Sequence, residues 1–104
     1  MAEWCDVAPQ SELPTGARKV VETDAGALLV FNLADQYYAI EDRCSHDGTE
    51  IGSGKCEEDE IICPRHGARF CIRTGESLTP PAYEDLEVFP VRIHEGIVQV
   101  DIDG

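Results

Sequence analysis

Two short half-sites of matched chemistry constrain this chain more than any other feature: Cys44-Ser45-His46 and Cys63-Pro64-Arg65-His66, separated by sixteen residues. Each offers one thiol and one imidazole, so a fold that uses all four must bring two loops to one point. Thiolate and imidazole favour iron, copper and zinc, whereas magnesium and calcium select oxygen ligands. The intervening residues are ample for the chain to leave the first loop, run out and return with the second. Four ligands of this kind suit either a single tetrahedral zinc or a two-iron, two-sulfur cluster with cysteines on one iron and histidines on the other. The ligand set alone leaves both open.

The remainder of the chain reads as strand. Short apolar segments rich in Val, Ile, Leu and Tyr cover 18–23, 27–33, 36–41 and 60–63. Turn residues separate them: Asp24-Ala25-Gly26 closes one hairpin, Ala34-Asp35 another, and Glu95-Gly96 joins 86–94 to 97–102. Pro90 removes a ladder donor from the penultimate segment and predicts an edge or a bulge there. The only helical turn expected lies near Gln10 to Leu13, and neither an internal repeat nor a low-complexity linker interrupts the pattern. The expectation is one all-β domain over 1–104, an antiparallel sandwich or small barrel. The ligand loops fall between strands, so the region from about 42 to 81 is expected to form a smaller cap.

The half-sites continue into a longer pattern. C-x-H, the spacer, C-P-x-H-G, then Phe70, Thr74-Gly75-Glu76 and Pro80-Pro81 together resemble the cluster-binding region of the Rieske proteins over roughly residues 37–83. The resemblance implies one [2Fe-2S] cluster, with Cys44 and Cys63 on one iron and His46 and His66 on the other. It also implies a Rieske-like antiparallel β-sandwich or barrel with a small cluster-binding subdomain formed by two loops. Members from respiratory and photosynthetic membranes tie these loops with a disulfide, but here the positions beside the ligands are Asp47, Gly48, Pro64 and Arg65. The chain is therefore more similar to the soluble ferredoxins of bacterial multicomponent aromatic-ring dioxygenases. Those carriers pass single electrons from a flavin-dependent reductase to a terminal oxygenase, which implies transient docking near His46 and His66, a monomer, and no catalytic residues. An accessory role in another redox or iron-sulfur pathway is the second reading, and a structural zinc-binding interaction module the third.

Charge counting adds a redox expectation. Two thiolates neutralise the oxidised core, whereas four would leave it negative and harder to reduce. Histidine-ligated centres accordingly span roughly −150 to +300 mV, against about −400 mV for plant-type ferredoxins. Few hydroxyl donors flank the ligands and the chain is acidic, so a value toward the low end is expected. An imidazole bound through one nitrogen keeps the other for water or a partner, so the potential should become pH-dependent at alkaline pH.

Eight basic and twenty-one acidic side chains give a formal charge of −13, which argues against nucleic acid or an anionic membrane as partner. It favours basic docking surfaces, or serves solubility alone. No apolar run is long enough to span a bilayer, and Met1-Ala2-Glu3-Trp4-Cys5 lacks the basic and apolar regions of a secretory signal. A cytoplasmic location is expected. Cys5, Cys56 and Cys71 have no obvious pairing, as suits a reducing compartment. Cys71 beside Phe70 is expected to pack as a small hydrophobe, Cys56 to be exposed, His94 to lie at the surface, and Trp4, Tyr37 and Tyr38 to pack rather than relay electrons. Arg65 places a cation between second-loop ligands, and Glu57-Glu58-Asp59-Glu60 reads as a solvated acidic turn.

Overall fold

The computed structural model describes residues 2–44, 48, 50–65, 67–79 and 84–103. Within them lie ten strands and one turn of 3-10 helix: β1 (Trp4–Pro9), the turn (Gln10–Glu12), β2 (Arg18–Thr23), β3 (Gly26–Leu33), β4 (Gln36–Glu41), β5 (Cys56–Glu57), β6 (Glu60–Ile62), β7 (Arg69–Cys71), β8 (Val88–Phe89), β9 (Val91–His94) and β10 (Ile97–Asp101). They make three antiparallel sheets, ordered β1-β10-β9, β2-β3-β4-β8 and β5-β6-β7. The expected all-β architecture is the one adopted, and the helical turn sits where the sequence placed it.

The sequence of β3 explains the layering. Its residues Leu28 to Asn32 are buried without interruption, and a strand covered on both faces reads as a run rather than an alternation. Alternate side chains serve two cores. Leu29 and Phe31 join one cluster with Ile40, Ile51, Ile61, Phe70 and Ile72, whereas Leu28 and Val30 join another with Leu13, Phe89, Val98 and Val100. In β4 the same division sends Tyr38 and Ile40 one way, Tyr37 and Ala39 the other. The β2-β3-β4-β8 sheet is thus a shared wall. On one side it meets the β1-β10-β9 sheet, with β1 approaching β2 and β9 approaching β4. On the other it carries the β5-β6-β7 sheet. Each fully buried Phe, Ile or Leu adds about 1.5–3 kcal/mol relative to exposure, so both cores are substantial for a chain of this size.

Turn chemistry sets the register. Ala34-Asp35 (φ 52° and 68°) and Glu95-Gly96 (φ 51° and 78°) have positive φ at both central positions, the geometry whose twist matches paired strands. The segment expected as one strand over 86–94 is two. β8 pairs with β4 and β9 with β10, so the chain changes sheets at Pro90, where a missing donor costs no ladder bond. Three strands were not legible. β1 is bulged between Asp6 and Ala8, which breaks its alternation, and β5 and β7 are too short to show a period.

The aromatic residues pack as expected. The Arg92 guanidinium lies 4.1 Å from the centroid of Trp4, Tyr37 donates its hydroxyl hydrogen to Leu13 O at 3.3 Å, and Arg73 donates to the Tyr38 hydroxyl at 2.8 Å. His94 is exposed beside Glu95.

Candidate metal centre

Cys44 follows β4 after two residues, and Cys63 follows β6 directly. Both are sealed from solvent, at 0% and 1% exposure, and both belong to the cluster that contains Phe31, Ile61 and Phe70. Each begins the same kind of turn. Gly48 N–H donates to Cys44 O at 2.8 Å, and Gly67 N–H donates to Cys63 O at 3.0 Å. The two glycines have φ of 77° and 75°, a left-handed conformation that costs little only without a side chain. C-x-H-x-G and C-P-x-H-G are therefore closed by the same bond from glycine to cysteine, with the histidine third in the first sequence and fourth in the second. His46 and His66 themselves lie outside the described residues, as do Pro80 and Pro81.

The supports of the turns follow from local sequence. β6 and β7 form a hairpin whose ladder pairs Ile62 with Arg69, and Cys63 N–H donates to Ala68 O at 2.7 Å, so the second turn is a hairpin tip. Arg69 bridges Glu57 and Glu60 at 3.2 and 3.3 Å. Hydrogen bonds to Glu57 and then Glu60 push its pKa above the ordinary arginine value. Thr74-Gly75-Glu76 makes the next turn: Gly75 N–H donates to Cys71 O, Leu86 N–H to Gly75 O, and Glu76 N–H to the Thr74 hydroxyl. These contacts bring the chain back toward the wall after β7. Asp42 is a residue that ligand-pattern reading passed over. It is a buried carboxylate, and its Oδ1 accepts the Ile51 amide hydrogen at 3.0 Å. An acid two places before the first cysteine, ahead of an apolar Ile51, was the available signal.

Chemically, two sulfur donors enclosed by Ile51, Ile61, Ala68 and Phe70 suit a cation. A thiolate in apolar surroundings is stable only against positive charge, so the donor set fits an iron core. The other cysteines are placed differently. None of the five forms a disulfide; Cys56 is exposed, and Cys71 is half-buried at the end of β7. The Cys56 thiol is nevertheless pushed up, first by the packing around it, with Asp59 adding to the effect and Arg18 opposing it. Burial likewise leads the rise at Cys5, ahead of Glu3, Asp24 and Asp6.

With this geometry in place, comparison assigns the class. Residues 3–90 match the Rieske [2Fe-2S] domain, and the chain belongs to that family, whose cofactor is a [2Fe-2S] cluster. Among curated relatives, the 3-phenylpropionate/cinnamic acid dioxygenase ferredoxin subunit of Shigella flexneri serotype 5b (strain 8401) is 35% identical over 95 residues, covering 90% of this chain and 89% of that one. Among solved structures, the ferredoxin of carbazole 1,9a-dioxygenase from Nocardioides aromaticivorans IC177 superposes with a TM-score of 0.87 at 27% identity, covering 93% and 95% of the two chains. A chain in a complex of reduced oxygenase and oxidized ferredoxin in carbazole 1,9a-dioxygenase gives a TM-score of 0.88 at 34% identity, covering 94% and 92%. Among the described residues no helix is long and apolar enough to cross a membrane.

Proposed function

We propose that this chain is the ferredoxin of a multicomponent oxygenase, a one-electron carrier and not an enzyme. Cys44 and Cys63 hold one iron of its cluster, and His46 and His66 the other. The observation that carries the reading is the pair of buried cysteines at the head of matching turns in one apolar core. Bound there, the cluster supplies one reversible electron. The chain's own residues do the rest. Ile51, Ile61, Ala68, Phe70 and Leu86 keep water from the sulfur side, which lowers the reorganisation that follows a change of charge. The two turns set Cys44 and Cys63 into one apolar core.

Residues 1–104 act as one Rieske domain, with about 42–81 as its cluster-binding subdomain. A flavin-dependent reductase supplies the electron and a terminal oxygenase takes it. Support for the oxygenase comes from relatives that are dioxygenase ferredoxin subunits, and from the one solved together with an oxygenase. Both partners dock transiently near His46 and His66 on a monomer in the cytoplasm, without nucleic acid or membrane. The test is spectroscopic. The purified protein should be red-brown, give an EPR signal on reduction, and titrate toward the low end of the Rieske range; C44S and C63S should each abolish the colour. A colourless protein with stoichiometric zinc sinks the carrier reading. Co-purification with a reductase and an oxygenase would test the partners.

A further inference from the structure

We propose that the Asp42 carboxylate is the positioning residue of the first ligand loop, closing its mouth by accepting the Ile51 amide hydrogen. This role rests on the reading that Cys44 and His46 belong to the metal centre. The two loops share a turn but are mounted differently. The second is the tip of the β6–β7 hairpin, so ladder bonds secure both its ends: Ile62 pairs with Arg69, and Cys63 N–H donates to Ala68 O. Among the described residues no strand pairing joins the ends of the first. It leaves β4, whose partners are β3 and β8, and its ends at 42 and 51 meet through a side chain.

The geometry of that closure is specific. Asp42 Oδ1 accepts the Ile51 amide hydrogen at 3.0 Å in a buried setting. Asp42 is itself fastened to the wall, its backbone N–H donating to Ala27 O at 2.9 Å. Ile51 is fully buried in the core that contains both cysteines. Gly52 leaves the room that the carboxylate occupies: a Cβ there would stand 3.2 and 3.4 Å from the two oxygens and 2.8 Å from Val20 Cγ2. A buried amide donor is costly to leave unpaired, so the bond selects one conformation of the loop. Through it, the segment that carries Cys44 is tied to the wall at Asp42 and to the core at Ile51.

The holo protein tests this through D42A and D42N, since asparagine keeps an oxygen where Oδ1 stands and alanine removes it. D42A should lose its visible absorbance to a chelator about 10–100 times faster than wild type, the scale seen when groups supporting metal ligands are removed. Its reduced-state EPR spectrum should change. D42N should restore the wild-type spectrum and a lifetime within about threefold of wild type. Equal lifetimes and spectra in D42A and wild type would overturn the proposal. Should D42A fail to fold, hydrogen exchange on wild-type holo protein decides: the Ile51 amide should be protected as well as that of Cys63, and rapid exchange at Ile51 overturns the role. A wild-type protein without colour or EPR signal fails differently, because it removes the ligand reading and Asp42's role with it.

Discussion

At the scale of single residues, exposure and reactivity part company at Cys56. The thiol reaches solvent, yet packing raises its pKa, with Asp59 adding and Arg18 opposing. The thiolate is the reactive form, so iodoacetamide at pH 8 should label Cys56 more slowly in the folded protein than in urea. The difference should close only as pH rises past the ordinary thiol value of 9.0. The sign for stability follows: the folded state keeps this proton to higher pH, so the contribution is intact below the unfolded thiol pKa and fades as pH climbs through the folded one. Gly54 presents a steric case. A Cβ there would run into the Ile62 carbonyl oxygen and stand 3.1 Å from Ile51 O, both backbone atoms with no rotamer to yield. G54A should cost about 2–3 kcal/mol, read as a lower urea midpoint with an unchanged slope. The segment that Gly54 packs against joins the two ligand loops, so cluster content should fall with stability.

At the scale of elements, support is unevenly distributed. β3 and β4 are braced by two cores, whereas β5, β6 and β7 are two or three residues each. The cluster should therefore contribute most to order in 42–81. In apo protein, hydrogen exchange should remain slow in β3, β4 and β10 and become fast in 42–81; uniform protection across that region without iron would refute the expectation. The same unevenness decided what could be read in advance. Segments 18–23 and 36–41 were legible to the residue, because their length and turn residues agree. β7 was not, because three residues have no period, and Phe70 could be flagged only through resemblance. Pro90 was legible as a disturbance but not as a change of sheet, since that depends on where β4 and β10 stand. Cys44 and Cys63, which the structure buries in one core, were singled out by chemistry and spacing, whereas Asp42 was hidden because its partner is a backbone amide nine residues away.

At the scale of the whole molecule, charge is distributed asymmetrically. Residues 42–81 hold five basic and eight acidic side chains, and the rest of the chain three and thirteen. The region that contains both buried cysteines is thus the less negative one, and a basic partner surface would be drawn more strongly to the rest of the chain. Long-range attraction of this kind is screened within about 8 Å at physiological salt. The second-order rate of electron transfer should therefore fall clearly between low and high ionic strength; a flat dependence would leave acidity a matter of solubility alone. The wall formed by β3 and β4 has a consequence for protein engineering. Because Leu29, Phe31 and Ile40 face one core while Leu28, Val30 and Ala39 face the other, neither half is a cassette. Excising 42–81 would strip one side of a central sheet and leave a sticky apolar plate, and transplanting those residues onto another barrel would succeed only if its strands carried the same alternate side chains.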